Sequence, residues 1–211
     1  MDSLIIVFVK TPKLGAVKSR LAYTIGDEAA LTIYIEFLKI LENTLLECKE
    51  DIVVYFSETI DSDIFKNYPN KIQYGEDLGQ RMYNAFEDGF SQGYRKIILI
   101  GSDIPDMKST NIRSAFEQLD NNKVVFGPAL DGGYYLIGLS ELLEAPFKLE
   151  QWSNQFVLKN SLKQLQEHNI HPALIAKLND IDTFENLLNS ETLKTNTTIL
   201  SVLNNYYDKR N

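Results

Sequence analysis

A run of basic residues is the first feature of this sequence that suggests chemistry. It reads KTPKLGAVKSRL over residues 10–21 and follows an apolar stretch typical of a buried strand. Its cations are Lys10, Lys13, Lys18 and Arg20. Lysine offers phosphate oxygens a point charge and arginine a bidentate fork, while Gly15 would let the backbone turn closely around a ligand. The run is not a Walker A loop, but its cations predict phosphate binding, with a solvated basic loop as the alternative.

Two acidic segments could hold a metal ion. Asp103 follows another apolar run in GSDIPD, residues 101–106, and a carboxylate at a strand end is well placed to hold a divalent cation that bridges phosphate oxygens. Oxygen ligands favour Mg²⁺ or Mn²⁺. Asp182, in the segment DIDT of residues 180–183, is the candidate second ligand, and a capped, solvent-facing turn is the alternative. Asp106 is interpreted as a helix cap.

A glycine-rich turn followed by two tyrosines predicts an acceptor pocket. The segment is GPALDGGYYLIG, residues 127–138. Asp-Gly-Gly is a turn signal in its own right, but it does not account for Tyr134 and Tyr135, which should face opposite sides of a strand. With Trp152 they are predicted to line the pocket, and Asp131 is predicted to be a polar or catalytic group in it.

Arg81 lies in a further segment, GEDLGQRM of residues 75–82, which opens a predicted helix. The amides of a helix N-terminus could bind an anion or a base edge, so Arg81 is a candidate nucleotide ligand. Capping by Asp77, with Arg81 on a solvated face, is an equal alternative. The predicted nucleotide and phosphate site consists of Lys10, Gly15, Lys18, Arg20 and Arg81. Lys18 and Asp131 are the candidate catalytic residues.

Alternating strands and helices must position these segments. Continuous apolar runs suit strands covered on both faces, and they occur at residues 4–9, 52–56, 72–74, 97–100, 124–126, 134–139 and 173–178. Apolar residues at helical spacing predict helices at about residues 27–48, from 77, 110–119, 153–168, from 183 and, after a loop, near the C-terminus. The alternation predicts a single α/β domain over residues 1–211, an αβα sandwich with a mostly parallel sheet. The strand Tyr134–Leu139 lies outside this alternation and is expected to pair antiparallel.

The composition disfavours several classes of function. The 211-residue chain has 21 basic and 29 acidic side chains, a net charge of −8 and 44% hydrophobic residues, which is ordinary globular usage and unlike a disordered chain. The acidic balance disfavours nucleic-acid binding, and no apolar run approaches the roughly 20 residues of a membrane span. A single cysteine, Cys48, rules out an internal disulfide, and the expected compartment is the reducing cytoplasm.

Taken in order, these motifs resemble a known bacterial family. The basic run, the helix start at Asp77, the Asp103 segment, the glycine–tyrosine segment, Trp152 and the DIDT turn follow one another along the chain. They are similar to those of GT-A-fold proteins known either as a domain of unknown function or as glycosyltransferases linked to arsenosugar biosynthesis. The resemblance covers about residues 4–190. It implies a GT-A-like, Rossmann-like fold of the nucleotide-diphospho-sugar transferase superfamily, with a nucleotide over the first strand and metal carboxylates at Asp103 and Asp182.

The resemblance implies a metal-dependent transferase that uses a nucleotide substrate and a small acceptor. Glycosyl transfer from a nucleotide-diphospho-sugar is the favoured reaction. The basic run also resembles the first loop of 2-phospho-lactate guanylyltransferases, so nucleotidyl transfer on the same fold is the second hypothesis. A nucleotide-binding module without catalysis is the third. Both reactions need Mg²⁺ or Mn²⁺ and protein cations to neutralise a pyrophosphate, and neither calls for a nucleic-acid or membrane partner.

Overall fold

One sheet runs through the computed structural model, which describes residues 2–59, 63–152 and 154–208. In these residues its strands are β1 Ser3–Val9, β2 Asp51–Phe56, β3 Asn70–Ile72, β4 Lys96–Gly101, β5 Val124–Pro128, β6 Tyr134–Leu139 and β7 Ala173–Leu174. Their order across the sheet is β3-β2-β1-β4-β6-β5-β7. β6 pairs antiparallel with β4 and β5, and the other described pairings are parallel. The predicted fold class, with an antiparallel strand at Tyr134–Leu139, is confirmed.

Helices cover both faces of this sheet. In the described chain they are α1 Ser19–Ile25, α2 Asp27–Leu46, α3 Leu78–Ser91, α4 Ser109–Gln118, α5 Val157–Glu167, α6 Phe184–Leu188, α7 Glu191–Thr195 and α8 Thr197–Asp208, with a 3₁₀ turn at Ala145–Phe147. Ile5 and Val7 of β1 pack in one buried cluster with α2, α4 and α8. Leu4 and Ile6 pack in the opposite cluster with α3 and α5. Because successive strand side chains point to opposite faces, a strand covered twice needs the continuous apolar run seen here.

Several elements depart from the sequence-based predictions. The short helix α1 is not predicted, because seven residues are too few to give a clear helical period. β3 lies two residues earlier than expected, and β7 is shorter, although a bridge between Ala129 and Leu178 continues its pairing. α5 begins at Val157, and its predicted start, Ser153, lies outside the described residues. The predicted C-terminal loop contains α7 before α8. In the described parts of the chain, none of the helices has the length and apolar character needed to cross a membrane.

Asp106 ties the C-terminal helices to the loop after β4. Its carboxylate accepts hydrogen bonds from the amide of Thr192 at 2.8 Å, the hydroxyl of Thr192 at 2.6 Å and the hydroxyl of Ser190 at 3.0 Å. Asp106 therefore caps a helix, but the helix is α7, far along the chain, and not the one that follows it in sequence. Of the two carboxylates in this loop, Asp103 is the one that faces the cavity described next.

Candidate active site

A cavity of about 600 Å³ opens at the carboxyl ends of the parallel strands. Residues at or just beyond the ends of β1, β2, β3, β4 and β5 line it, together with the first turn of α3 and with Trp152, Asn154 and Val157. Ligands of open α/β sheets bind at this edge, and the volume suits a small molecule. In the described chain, the charged residues that line the cavity are Lys10, Arg81, Asp103, Asp131 and Asp180.

Tyr34 of α2 joins the ends of two central strands beneath the cavity. Its hydroxyl donates to the carbonyl of Lys10 at 2.9 Å, accepts from the amide of Lys10 at 3.0 Å and lies 3.0 Å from the hydroxyl of Ser102. Burial raises the pKa of Tyr34, so the phenol stays neutral and can donate. Sequence reasoning places Tyr34 only in the apolar stripe of α2. Its role in fixing Lys10 and Ser102 depends on the tertiary packing.

Lys10 and Arg81 are the cavity cations without an acidic partner in the described part of the chain. No described carboxylate oxygen lies within 4.0 Å of either charged group, whereas Lys18 and Arg20 each have one. The guanidinium Nε of Arg81 donates to the carbonyl of Gly75 at 3.1 Å, in the loop after β3. Asp77 does cap α3, since its Oδ1 accepts from the amide of Gln80 at 2.9 Å. The capping alternative therefore holds for Asp77, and Arg81 faces the cavity all the same.

Lys18 and Arg20 are engaged in ion pairs and are not among the cavity-lining residues. The ammonium of Lys18 lies 3.0 Å from Asp103 Oδ1 and donates to the carbonyl of Ile181 at 2.6 Å, with only 3% of its side chain exposed. Arg20 Nη1 lies 3.1 Å from Asp182 Oδ2. Of the three cations predicted to converge, Lys10 therefore lines the cavity, whereas Lys18 and Arg20 are paired with Asp103 and Asp182. Phosphate binding by Lys18 and Arg20 stays a prediction.

The basic run makes an exposed turn around Gly15. Gly15 has a φ of +73°, which favours glycine, and it lies in the turn Leu14–Ala16 outside the cavity lining. Lys18 precedes α1 with a φ of 52°, a left-handed conformation that is uncommon for a residue with a side chain. In this conformation the buried side chain of Lys18 contacts Asp103. The turn predicted at Gly15 is therefore present, whereas its contact with a ligand stays a prediction.

The segment with the late aspartates lies against the loop after β4. The amide of Ile181 donates to the carbonyl of Asp103 at 3.1 Å, so the two predicted metal segments do meet. Asp180 lines the cavity, whereas Asp182 pairs with Arg20 outside the lining. Burial and the nearby charge of Asp131 raise the pKa of Asp180. Sequence reasoning missed Asp180 because the DIDT pattern alone does not show which of its two aspartates turns inward.

The carboxylates of the cavity fit a hard divalent cation that takes few protein ligands. In the described residues there is no group of three His, Cys, Asp or Glu side chains placed to hold a metal. Mg²⁺ usually takes one or two carboxylates and completes its shell with water and phosphate oxygens. Asp103, whose side chain is 52% exposed, and Asp180 supply that number on one cavity. Asp182 as the second ligand stays a prediction.

Asp131 is fixed by its own turn. Its Oδ1 accepts a hydrogen bond from the amide of Gly133 at 2.8 Å. Gly132 has a φ of +93°, and a Cβ there would lie 2.1 Å from the carbonyl oxygen of Gln155. The amide of Leu158 also donates to the carbonyl of Gly132 at 3.1 Å. The prediction that the glycines form a turn is therefore confirmed, and the same turn holds the Asp131 carboxylate at the cavity.

The aromatic wall of the cavity has one free polar atom in the described chain. The hydroxyl of Tyr135 donates to the carbonyl of Ala176 at 2.9 Å, and burial raises its pKa to about 12. The hydroxyl of Tyr134 lies 3.9 Å from the sulfur of Met82. Both tyrosines line the cavity, on opposite faces of the sheet as their alternation predicts. Trp152 also lines it, and its Nε1 is buried without a hydrogen-bond partner among the described residues.

Gly79→Ala is expected to displace Trp152 from the cavity wall. A Cβ at Gly79 would lie 2.5 Å from Cζ2 of the indole and 2.4 Å from the carbonyl oxygen of Phe147. Alanine in a helix is otherwise favoured by about 0.5–1 kcal/mol, but the overpacking costs about 1–3 kcal/mol. We expect a lower free energy of unfolding in urea, together with a shift of tryptophan emission in the folded protein.

Gly89→Ala is the matched control on the same helix. Its Cβ would lie 2.6 Å from Cδ1 of Ile97 and 2.9 Å from Cδ2 of Leu4, in the core and away from the cavity. The chain has one tryptophan, so emission reports on the cavity wall alone. Gly89→Ala should change stability with no change in folded-state emission. Equal emission shifts in both variants would contradict the close packing of Trp152 on Gly79.

A bacterial protein family matches the middle of the chain. The family described as "Uncharacterized protein conserved in bacteria (DUF2064)" matches residues 43–154, more than half of the 211 residues. The chain belongs to this family. Membership in a bacterial family of unknown function agrees with the resemblance drawn from the motifs. A comparison of this family member with curated proteins gives no match.

The fold of this chain is similar to that of several solved structures. A Desulfovibrio desulfuricans G20 protein, provisionally described as a nucleotide-diphospho-sugar transferase, is 27% identical, with a TM-score of 0.86 over 97% of this chain and 94% of that chain. A cytidylyltransferase from Leptospira borgpetersenii is 14% identical, with a TM-score of 0.57 over 100% and 95%. The protein Rv0371c of Mycobacterium tuberculosis H37Rv, solved with manganese, is 11% identical, with a TM-score of 0.54 over 90% and 97%. The latter two likenesses show the fold alone.

Proposed function

We propose that this protein is a metal-dependent transferase that moves a glycosyl group from a nucleotide-diphospho-sugar to a small acceptor. One observation carries the proposal: a single cavity at the carboxyl ends of the strands has two cations without an acidic partner among the described residues, Lys10 and Arg81, and three carboxylates, Asp103, Asp131 and Asp180. The likeness to the Desulfovibrio protein supports nucleotide-sugar use. The composition supports action in the reducing cytoplasm, since the chain has one cysteine.

In this proposal the nucleotide binds on the side of β1 to β3. Lys10 directly follows β1, and Arg81 is held by the carbonyl of Gly75 in the loop after β3. Since neither cation has an acidic partner in the described parts of the chain, both can bind phosphate oxygens through strong charge-assisted hydrogen bonds. Lys18, buried against Asp103, has the role of positioning that carboxylate and the turn at Ile181. A direct catalytic role of Lys18 stays a prediction.

Asp103 and the turn of Asp180 and Asp182 would hold the divalent cation. Bound there, Mg²⁺ or Mn²⁺ would neutralise charge on the diphosphate of the leaving group. The manganese complex of Rv0371c supports a divalent ion on this fold. The residues present fit such an ion, as the two cavity-facing carboxylates and their excess of negative charge indicate.

Asp131 is the group placed to accept the proton of the acceptor. Its Oδ1 is held by the amide of Gly133, which leaves the second oxygen without a hydrogen-bond partner among the described residues. In the proposed reaction the acceptor hydroxyl loses its proton to this oxygen, and the acceptor oxygen forms a bond to the anomeric carbon. The bond between that carbon and the phosphate oxygen breaks, and its electron pair leaves with the nucleoside diphosphate.

Nucleotidyl transfer is the second candidate, supported by the shared fold of the Leptospira cytidylyltransferase and by the resemblance of the basic run to guanylyltransferase loops. In that reaction a substrate phosphate attacks the α-phosphate of a nucleoside triphosphate, and pyrophosphate leaves. The basic run gives this reading less support in the folded protein, because Lys18 and Arg20 are paired with aspartates. The two candidates differ in product: a nucleoside diphosphate in one case, pyrophosphate in the other.

Tryptophan fluorescence is the direct assay of the proposed function. Trp152 is the only tryptophan and lines the cavity, so titration with nucleotide-diphospho-sugars and nucleoside triphosphates, with and without Mg²⁺ or Mn²⁺, should change its emission. Nucleotide sugars that bind with metal should then be incubated with a small-acceptor library, including arsenic-bearing acceptors suggested by the resemblance. Release of nucleoside diphosphate that depends on the acceptor would confirm glycosyl transfer. Pyrophosphate release supports the second candidate, and binding without turnover supports a non-catalytic module.

Arg81→Met is expected to weaken nucleotide binding. The substitution keeps an apolar stem and removes a cation that has no acidic partner in the described chain. Loss of a charge-assisted hydrogen bond costs about 1.5–3 kcal/mol, which corresponds to a roughly 10- to 150-fold rise in Kd. Lys13→Met, on an exposed residue of the basic run outside the cavity, is the control. Equal Kd values for the two variants in the fluorescence titration would rule out phosphate binding by Arg81.

A further inference from the structure

We propose that the acceptor is a hydroxyl-bearing molecule that carries no negative charge. The inference rests on the proposed function and adds the chemical class of the second substrate. It comes from the distribution of charge along the cavity, which is basic on one side and acidic on the other. A phosphate- or carboxylate-bearing acceptor would meet carboxylates where it needs cations.

The sheet order fixes the position of each charge. Arg81 is held at the loop after β3, and Lys10 directly follows β1. Asp103 follows β4 in the middle of the sheet, while Asp131 follows β5 and Asp180 follows β7. β1 and β5 are three strand spacings apart in the order β1-β4-β6-β5, which is roughly 14 Å. A nucleotide on the cations therefore leaves the β5–β7 side for the acceptor.

The acceptor side has no free cation among the described residues that line the cavity. Its lining residues beyond β4 include Ala129, Asp131, Tyr134, Asn154 and Asp180, and none is basic. The nearest buried ammonium, that of Lys18, is already paired with Asp103 and the carbonyl of Ile181. A metal ion bound with the nucleotide would offset the charge of Asp103 and of the second carboxylate ligand, Asp180 or Asp182. Asp131 would remain without a counter-charge.

The remaining polar groups of this side suit hydroxyl or ammonium groups. The free carboxylate oxygen of Asp131 accepts from either. Trp152 adds apolar wall on this side, because its Nε1 is buried in the protein and its ring lines the cavity. The tyrosine hydroxyls do not offer the acceptor a free donor, because Tyr135 donates to the carbonyl of Ala176 and the hydroxyl of Tyr134 lies against the sulfur of Met82. Their rings supply apolar wall, against which a sugar ring or a cation can pack.

The test uses three probes with the same hydroxyl framework and different charge. The protein is first saturated with the nucleoside diphosphate that binds best in the presence of Mg²⁺, and then titrated with glucosamine, glucose or glucose 6-phosphate while Trp152 emission is followed. We expect glucosamine and glucose to bind at least about tenfold more tightly than glucose 6-phosphate, because like charges oppose binding of the phosphate. Asp131→Asn should reduce this discrimination about tenfold in the binding assay.

Glu117→Gln is the matched control, since Glu117 is exposed on α4 and lies outside the cavity lining. It should leave the discrimination unchanged. Binding of glucose 6-phosphate as tight as that of glucose, or equal responses to all three probes, including none, would overturn the inference. The nucleotide step separates the two hypotheses. If no nucleotide binds, the proposed function fails; if nucleotide binds and the charge preference is absent, only the acceptor class is wrong.

Discussion

Lys18→Met is expected to lower the free energy of unfolding by about 2–3 kcal/mol, because it removes a buried ammonium with two partners. The side chain of Lys18 is 3% exposed, and its Nζ contacts Asp103 Oδ1 at 3.0 Å and the carbonyl oxygen of Ile181 at 2.6 Å. Methionine replaces the lysine stem with an unbranched apolar side chain, and the ammonium that it removes lies 6.0 Å from the centroid of the Phe37 ring. It leaves the Ile181 carbonyl unsatisfied and Asp103 without its cation. Urea denaturation followed by circular dichroism measures the change.

Lys13→Met separates this effect from a general loss of basic charge in the same run. Lys13 is exposed and has no acidic partner in the described chain, so its replacement should change the free energy of unfolding by less than about 0.5 kcal/mol. Equal stabilities of the two variants would contradict the buried bridge between α1, the loop after β4 and the Ile181 turn. If the bridge is real, Lys18→Met should also weaken metal-dependent nucleotide binding, because Asp103 loses the group that positions it.

The sequence carries most of the information needed for the fold. Strands such as β1 and β4 are continuous apolar runs, because each is covered by helices on both faces. The departure of Tyr134–Leu139 from the strand–helix alternation was enough to predict its antiparallel pairing, because a parallel strand needs a crossover helix that the preceding turn leaves no room for. The caps at Asp77 and Thr183 follow local rules as well.

The site was less predictable, because side-chain direction depends on tertiary contacts. The sequence pattern of the basic run predicts one phosphate-binding loop. In the structure Lys18, which has a left-handed backbone conformation, forms an ion pair with Asp103, and Arg20 forms one with Asp182. Either pairing requires residues about 80 to 160 positions away. No local pattern reveals that Asp180, and not Asp182, faces the cavity. The sequence shows which residues are cations and carboxylates. It does not show which of them form ion pairs with each other and which face the cavity without a described partner.

Asp103→Asn is expected to abolish the gain in nucleotide affinity that Mg²⁺ or Mn²⁺ provides. Asp103 is the cavity carboxylate that follows β4, the central strand of the sheet. An amide keeps the shape and a hydrogen-bond acceptor for Lys18, but it is a poor ligand for a hard cation. Loss of a metal-ligand interaction should cost at least about tenfold in metal-dependent affinity. The measurement is the ratio of nucleotide Kd without and with metal, which removes any uniform effect of altered stability.

Two further variants identify the second carboxylate. Because Asp180 faces the cavity while Asp182 is paired with Arg20, Asp180→Asn should lower the metal-dependent ratio of Kd values more than Asp182→Asn. The opposite order would show that Asp182 leaves Arg20 for the metal when nucleotide binds, as the motif predicts. An unchanged ratio in Asp103→Asn would place the metal elsewhere and remove the central carboxylate from the proposed mechanism. Arg20→Met resolves the cause, since freeing Asp182 from its cation should strengthen metal binding only if Asp182 is a ligand.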